Sequence, residues 1–145
     1  MSKILSNRSL KKSYKKEKTI SENENLSRKK ALQIIGFIQD QQAKDVVLLD
    51  IRKVSNLCDY FIICSGESAR QVKAICEETI KMCKKNKIIM QHQESDELSR
   101  WILIDLADII LHVFLDEARN FYNLEYLWSG AKKVNLKKFF VQKLT

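Results

Sequence analysis

The side chains able to do chemistry are few and poorly grouped. The histidines, His92 and His112, lie far apart in sequence. A zinc site needs several ligands at short, regular spacing, and neither histidine has such companions even counting the nearby acids, so no metal is expected. Cys58, Cys64, Cys76 and Cys83 show no CxxC spacing. Two of them fall in apolar patterns, where a reduced thiol behaves as a small hydrophobe, so buried reduced cysteines in a reducing compartment are expected. A nucleophile at Cys64 or Ser65 served by His112 lacks a GxSxG frame, and Ser65 reads more simply as a turn or cap residue. Nucleotide binding is the stronger rival, because a strand running into Ser65-Gly66 and then a helix can aim backbone N–H groups at a phosphate. Neither GxGxxG nor GxxxxGK[ST] occurs, however, and Asp105 and Asp108 are spaced as turn-shaping acids rather than as a metal-binding pair. A protein without catalysis, metal or cofactor is expected. Its recognition chemistry would lie with Trp101, Tyr122 and Trp128, because amphipathic aromatics anchor interfaces, and with Glu125, which can meet a basic partner. Phe121 and Leu127 are assigned to the core.

These groups need elements to hold them. Ala31, Leu32, Ile34, Ile35, Phe37 and Ile38 recur at helical spacing and predict an amphipathic helix over about residues 28–42. Val46 to Ile51 is a β-branched and leucine-rich run of strand length, and Tyr60 to Cys64 is a second. Ser65-Gly66-Glu67-Ser68 supplies turn and capping residues before a helix marked by Ala69, Val72, Ile75, Cys76, Thr79, Ile80 and Cys83, with Lys84 and Lys85 suiting its C-terminal dipole. A short strand is expected through Ile88-Ile89-Met90. From Trp101 to Phe114 two apolar runs flank Ala107-Asp108, which predicts a tight hairpin. A two-residue turn there pairs Leu106 with Ile109, Ile104 with Leu111 and Ile102 with Val113 on the core face. The other face then carries Trp101 opposite Phe114, Leu103 opposite His112 and Asp105 opposite Ile110, a mixture suited to a binding surface. A short helix from Asp116 and the aromatic segment Phe121 to Trp128 complete the domain at Ser129-Gly130.

The formal charge of +8 looks like an argument for nucleic acid until its distribution is counted. Residues 1–30 hold ten Lys/Arg and three Asp/Glu (+7), residues 131–145 hold five Lys and no acid (+5), and residues 31–130 hold eleven against fifteen (−4). The expected organisation is a basic, disordered tail over residues 1–27, one α/β domain over 28–130, and a basic C-terminal tail over 131–145 that either stays disordered or forms a short amphipathic helix. No stretch approaches the roughly 20 apolar residues of a membrane helix, and the N-terminus has no secretory apolar run, so a cytoplasmic protein is expected. A mitochondrial or plastid protein is the alternative if residues 1–27 are a targeting peptide.

Four segments resemble the Iojap or ribosomal-silencing-factor family: Asp59-Tyr60-Phe61-Ile62-Ile63-Cys64-Ser65-Gly66; Arg70 to Ile75; Trp101-Ile102-Leu103-Ile104-Asp105 with Asp108 and His112-Val113-Phe114; and Phe121 to Trp128. The resemblance implies an α/β fold with a mixed sheet of about five strands flanked by helices, similar to nucleotidyltransferases but without their catalytic residues. It also implies binding to the fourteenth large-subunit ribosomal protein, a basic protein on the intersubunit face, so that the small subunit cannot join. Carried over by position, the interface falls on Trp101, Tyr122, Leu124 and Glu125, with Asp105, His112 and Trp128 as supports. The chain departs from the family pattern at Glu94-Ser95, usually Glu-Gly; at Ala107, usually Gly; and at Arg70-Gln71, usually Arg-His. The rivals are a nucleotidyltransferase-like enzyme using Ser65-Gly66 with Asp105 and Asp108, and an RNA-binding module acting through the basic tails, which could also add contact with ribosomal RNA. The sequence leaves the oligomeric state open, a homodimer of the free chain included.

Overall fold

The computed structural model describes residues 20–140, with side chains from residue 26 to residue 139. Helix α1 (Ile20–Asp40) precedes β1 (Lys44–Asp50) and β2 (Tyr60–Gly66), and α2 (Ala69–Lys85) leads to β3 (His92–Ser95), β4 (Trp101–Asp105) and β5 (Ile109–Leu115). After them come α3 (Asp116–Tyr122), α4 (Leu124–Leu127), the short β6 (Lys132–Lys133) and α5 (Lys137–Phe140).

The strands form one mixed sheet in the order β3-β4-β5-β2-β1-β6. β2 and β5 run parallel, and the other neighbours are antiparallel. A parallel pair needs a long crossover, which α2, β3 and β4 supply. The hairpin has the register deduced from its alternation, with Ile102↔Val113 and Ile104↔Leu111 paired and Leu106 N donating to Ile109 O at 2.9 Å. Its turn has a positive φ of 77° at Ala107.

One sheet face packs Leu48, Ile62, Ile104 and Leu111 against Ala31, Ile34, Ile35 and Ile38 of α1 and Val72, Ile75 and Cys76 of α2. The opposite face is buried too: Leu49, Phe61, Ile63, Leu103, Ile110 and Phe114 form a second cluster with Leu124 of α4. All four cysteines are buried thiols outside any disulfide, and burial pushes the Cys76 thiol up to about 12 and Cys83 to about 11.

Several expectations are corrected. The mixed sheet flanked by helices is as expected, and its sixth strand comes from the segment expected to be a C-terminal tail. β6 pairs with β1, and Val134 and Leu136 pack against the helix-side core, so residues 131–136 belong to the domain. Residues 20–27, assigned to the N-terminal tail, are helical, with Ser27 buried. A helix anchored on a core face extends by one hydrogen bond per added residue, so it can run into a polar stretch that has no periodic signal of its own. Residues 1–19 and 141–145 lie outside the described part. Ile88-Ile89-Met90 is not a strand: Lys87 takes φ 60°, Ile88 N donates to Cys83 O at 2.8 Å, and Ile88 tucks into the core while Ile89 and Met90 stay exposed. β2 also continues through Ser65-Gly66, so the turn and cap fall on Glu67-Ser68, where Ser68 Oγ accepts from Gln71 N. Gly66 is tightly packed there, since a Cβ would come within 3.0 Å of Val72 Cγ2 and 3.1 Å of Val72 N and would press on the start of α2.

Candidate functional site

The hairpin face expected to be an outer surface is largely roofed over. Leu103, Ile110, His112 and Phe114 are fully buried and Asp105 nearly so, because α3 and α4 fold back across β4 and β5. Trp101, Tyr122 and Trp128 remain half-buried at the edge of this roof. Trp101 stacks on Phe114 with ring centroids 5.1 Å apart and meets Tyr122 at 4.8 Å, while Trp128 packs edge-on against Phe61 at 4.9 Å. The aromatics therefore present one side to the core and one to solvent, as interface anchors do.

Polar groups fix these rings. Trp101 Nε1 donates to His112 Nδ1 at 3.1 Å, which places the imidazole proton on Nε2. Burial drives the His112 pKa down to about 3, so the ring is neutral and serves as an acceptor under Trp101. Asp96 ties Tyr122 to the start of β4. Its Oδ1 accepts from Arg100 N at 2.5 Å and Trp101 N at 3.3 Å, and its Oδ2 accepts from Tyr122 Oη at 3.1 Å. Burial opposes the Asp96 charge, but these donors outweigh it and hold the carboxyl below its ordinary range. Glu125 accepts from Arg119 Nε at 2.8 Å, and Arg119 Nη1 reaches down to Ser65 Oγ at 2.9 Å. Ser65 is thus a buried acceptor within the fold, not the end of a turn facing a phosphate. Asp105 Oδ1 accepts from Ala107 N at 3.0 Å and Asp108 from Lys30 Nζ at 2.7 Å, each shaping or tethering the hairpin turn. Among the described residues there is no group of His, Cys, Asp and Glu able to hold a metal ion.

The sequence-derived residues separate into two layers. Trp101, Tyr122, Glu125 and Trp128 reach the surface, whereas Leu124, Asp105 and His112 lie beneath it. Phe121 and Leu127, assigned to the core, are 79% and 72% exposed, and Tyr126 is 72% exposed beside them. The break between α3 and α4 explains this. Asn123 adopts the left-handed conformation (φ 47°, ψ 49°), which Asn tolerates better than most residues, and the chain turns so that Leu124 points inward. Asp96 and Arg119 escaped the sequence reading; the only local signal for Asp96 is an acid opening the Asp-Glu-Leu-Ser turn.

Known proteins match this arrangement along most of its length. The family described as "Ribosomal silencing factor during starvation" matches residues 24–144, again reaching past the expected 28–130 boundary. The ribosomal silencing factor RsfS of Halalkalibacterium halodurans is 39% identical over 112 residues, covering 77% of this chain and 96% of the relative. A mouse protein called "Mitochondrial assembly of ribosomal large subunit protein 1" is 26% identical over 102 residues, covering 66% of this chain and 43% of that protein. A crystal structure of a Bacillus halodurans protein superposes with a TM-score of 0.65 at 38% identity, covering 74% of this chain and 98% of the other. With the motif order, the mixed sheet and this coverage in agreement, the chain belongs to the ribosomal silencing factor family.

Proposed function

We propose that this protein lowers translation by docking on the large ribosomal subunit through the aromatic surface over its hairpin, with the fourteenth large-subunit ribosomal protein as the direct partner. Occupying that partner keeps the small subunit from joining, and no chemical step is involved. The observation that carries this reading is the exposure of Phe121, Tyr126 and Leu127 on α3 and α4, with Phe121 edge-on to Tyr122 and with Trp101, Tyr122 and Trp128 half-buried on the core cluster that α4 covers. Large apolar groups gathered on one side mark interaction sites, and Tyr and Trp are favoured among the anchors. The net charge of −4 over residues 31–130, with Asp116, Glu117 and Glu125 on α3 and α4, favours a basic protein over bare phosphate at this surface. The basic terminal segments add salt-sensitive contact with ribosomal RNA.

The test is co-sedimentation with purified large subunits, paired with a subunit-joining assay. Phe121→Asp with Leu127→Asp alters exposed positions, so the melting temperature should stay within a few degrees while pelleting and inhibition of joining fall at least tenfold. Trp101→Ala with Tyr122→Ala should abolish both, at a cost in stability. If the double aspartate variant pellets and inhibits like the parent, this surface is not the docking site. Tight pelleting without inhibition of joining would refute the blocking mechanism instead.

A further inference from the structure

At the edge of the sheet opposite β3, α1, the end of β1 and β6 surround a cavity of about 210 Å³. Its charged lining residues are Arg28, Arg52, Lys53 and Lys132 against Asp50, four cations less one anion, or +3. The pattern runs against the −4 of residues 31–130, in which three of these five residues fall.

The floor is fixed. Arg52 grips Asp50 through Nε at 2.9 Å and Nη2 at 2.6 Å, and its guanidinium lies 5.3 Å from the centre of the Tyr60 ring. Arg28 Nε donates to Tyr60 Oη at 3.2 Å. The rim is different. Among the described residues, neither Lys53 nor Lys132 has a carboxylate at ion-pair distance. Lys53 and Lys132 converge with Arg28 on a concavity whose one lining carboxylate, Asp50, is already held by Arg52, and a bound anion removes the repulsion among these like charges.

Size and setting narrow the anion. Sites that enclose a ligand the size of a whole nucleotide run to roughly 300–1,000 Å³, so this cavity suits a phosphate group rather than a buried nucleotide. Exposed Lys133, Lys137 and Lys138 continue the basic segment along β6 and α5, which favours a linear polyanion over an isolated ion.

We infer that this cleft binds a backbone phosphate of RNA, with Arg28, Lys53 and Lys132 as its contacts and the Asp50–Arg52 pair holding its floor. It is distinct from the aromatic docking surface and does not depend on it, although Lys132 closely follows Trp128 in the chain.

The test uses the full chain and a fluorescein-labelled single-stranded RNA of mixed sequence, read by anisotropy across a salt series. Lys53→Ala with Lys132→Ala is compared with Lys84→Ala with Lys85→Ala, which removes the same charge from exposed positions at the end of α2. The N-terminal cations are present in both proteins, so their background cancels. The cleft variant should bind RNA several-fold more weakly, and its slope of log affinity against log salt should be shallower by about 0.7 per lost phosphate contact. The control should keep the parent slope. Equal losses in the two variants, or no RNA binding by the parent, would overturn the cleft. Inorganic pyrophosphate is titrated in parallel. If its binding needs Lys53 and Lys132 while RNA binding does not, the site takes a free phosphate compound and the assignment to RNA is wrong. Neither result bears on ribosome pelleting by the Phe121 and Leu127 variant, so the two proposals fail separately.

Discussion

At His112 the ring is fully buried, Trp101 donates to its Nδ1, and burial alone brings its pKa to about 3 from an ordinary 6.5. In the unfolded chain the imidazole takes up a proton near its ordinary pKa, whereas the folded protein resists protonation down to about pH 3. The unfolded state therefore binds more protons throughout this window, and stability falls as pH drops from about 6.5, levelling off only near pH 3. Between about pH 7 and pH 5 the loss should reach about 2 kcal/mol, measured as the change in urea unfolding free energy. Asp50 and Asp96 are both held below the ordinary carboxyl range and so titrate below the pH 7 to pH 5 interval being compared. His112→Gln keeps an acceptor for Trp101 Nε1 and should flatten the dependence. An equal loss in the two proteins would show that His112 is not held neutral by the fold.

The hairpin turn shows an element tolerating an unfavourable residue. Of its two central residues only Ala107 has a positive φ, the type II′ pattern, in which the first position favours glycine. The chain has alanine where the resemblance implies glycine, and the left-handed conformation costs a non-glycine residue roughly 1–2 kcal/mol. Register survives because the six paired aliphatics on the helix-side face and the Asp105 and Asp108 tethers over-determine the turn. Ala107→Gly should relieve the strain but admit more unfolded-state freedom, for a net gain of about 0.5–1 kcal/mol by urea denaturation. A loss of stability would mean that the methyl group packs favourably enough to outweigh the strain.

At the scale of the whole molecule, the sheet is covered on both faces, and its last strand comes from a segment that looked like a tail. Truncation after Gly130 would remove β6 and the partly buried Val134 and Leu136. Their lost burial should cost about 2 kcal/mol of stability. It would also bare the edge of β1, and an unpaired edge invites association between chains. A lower urea midpoint together with new light scattering at high protein concentration is the expected outcome. An unchanged midpoint would show that residues 131–145 are dispensable to the fold.

The sequence by itself determined the hairpin register, the extent and cap region of α2, and the ordered motifs that mark the family. These are local properties: alternation sets which side chains share a strand face, and a 3.6-residue period sets the buried stripe of a helix. It also singled out Trp101, Tyr122, Glu125 and Trp128, because aromatic content and motif position do not depend on neighbours distant in the chain. It could not tell which aromatics face outward. Phe121 and Leu127 are exposed and Leu124 buried because of one left-handed residue at Asn123 and the return of α4 over the sheet. The Asp96–Tyr122 bond spans 26 residues, and the basic cleft draws on α1, the loop after β1, and β6. Such contacts have no signature in spacing. Tertiary structure alone decided which charges converge and which rings keep one side open to solvent, since both depend on elements that meet only when the sheet is assembled.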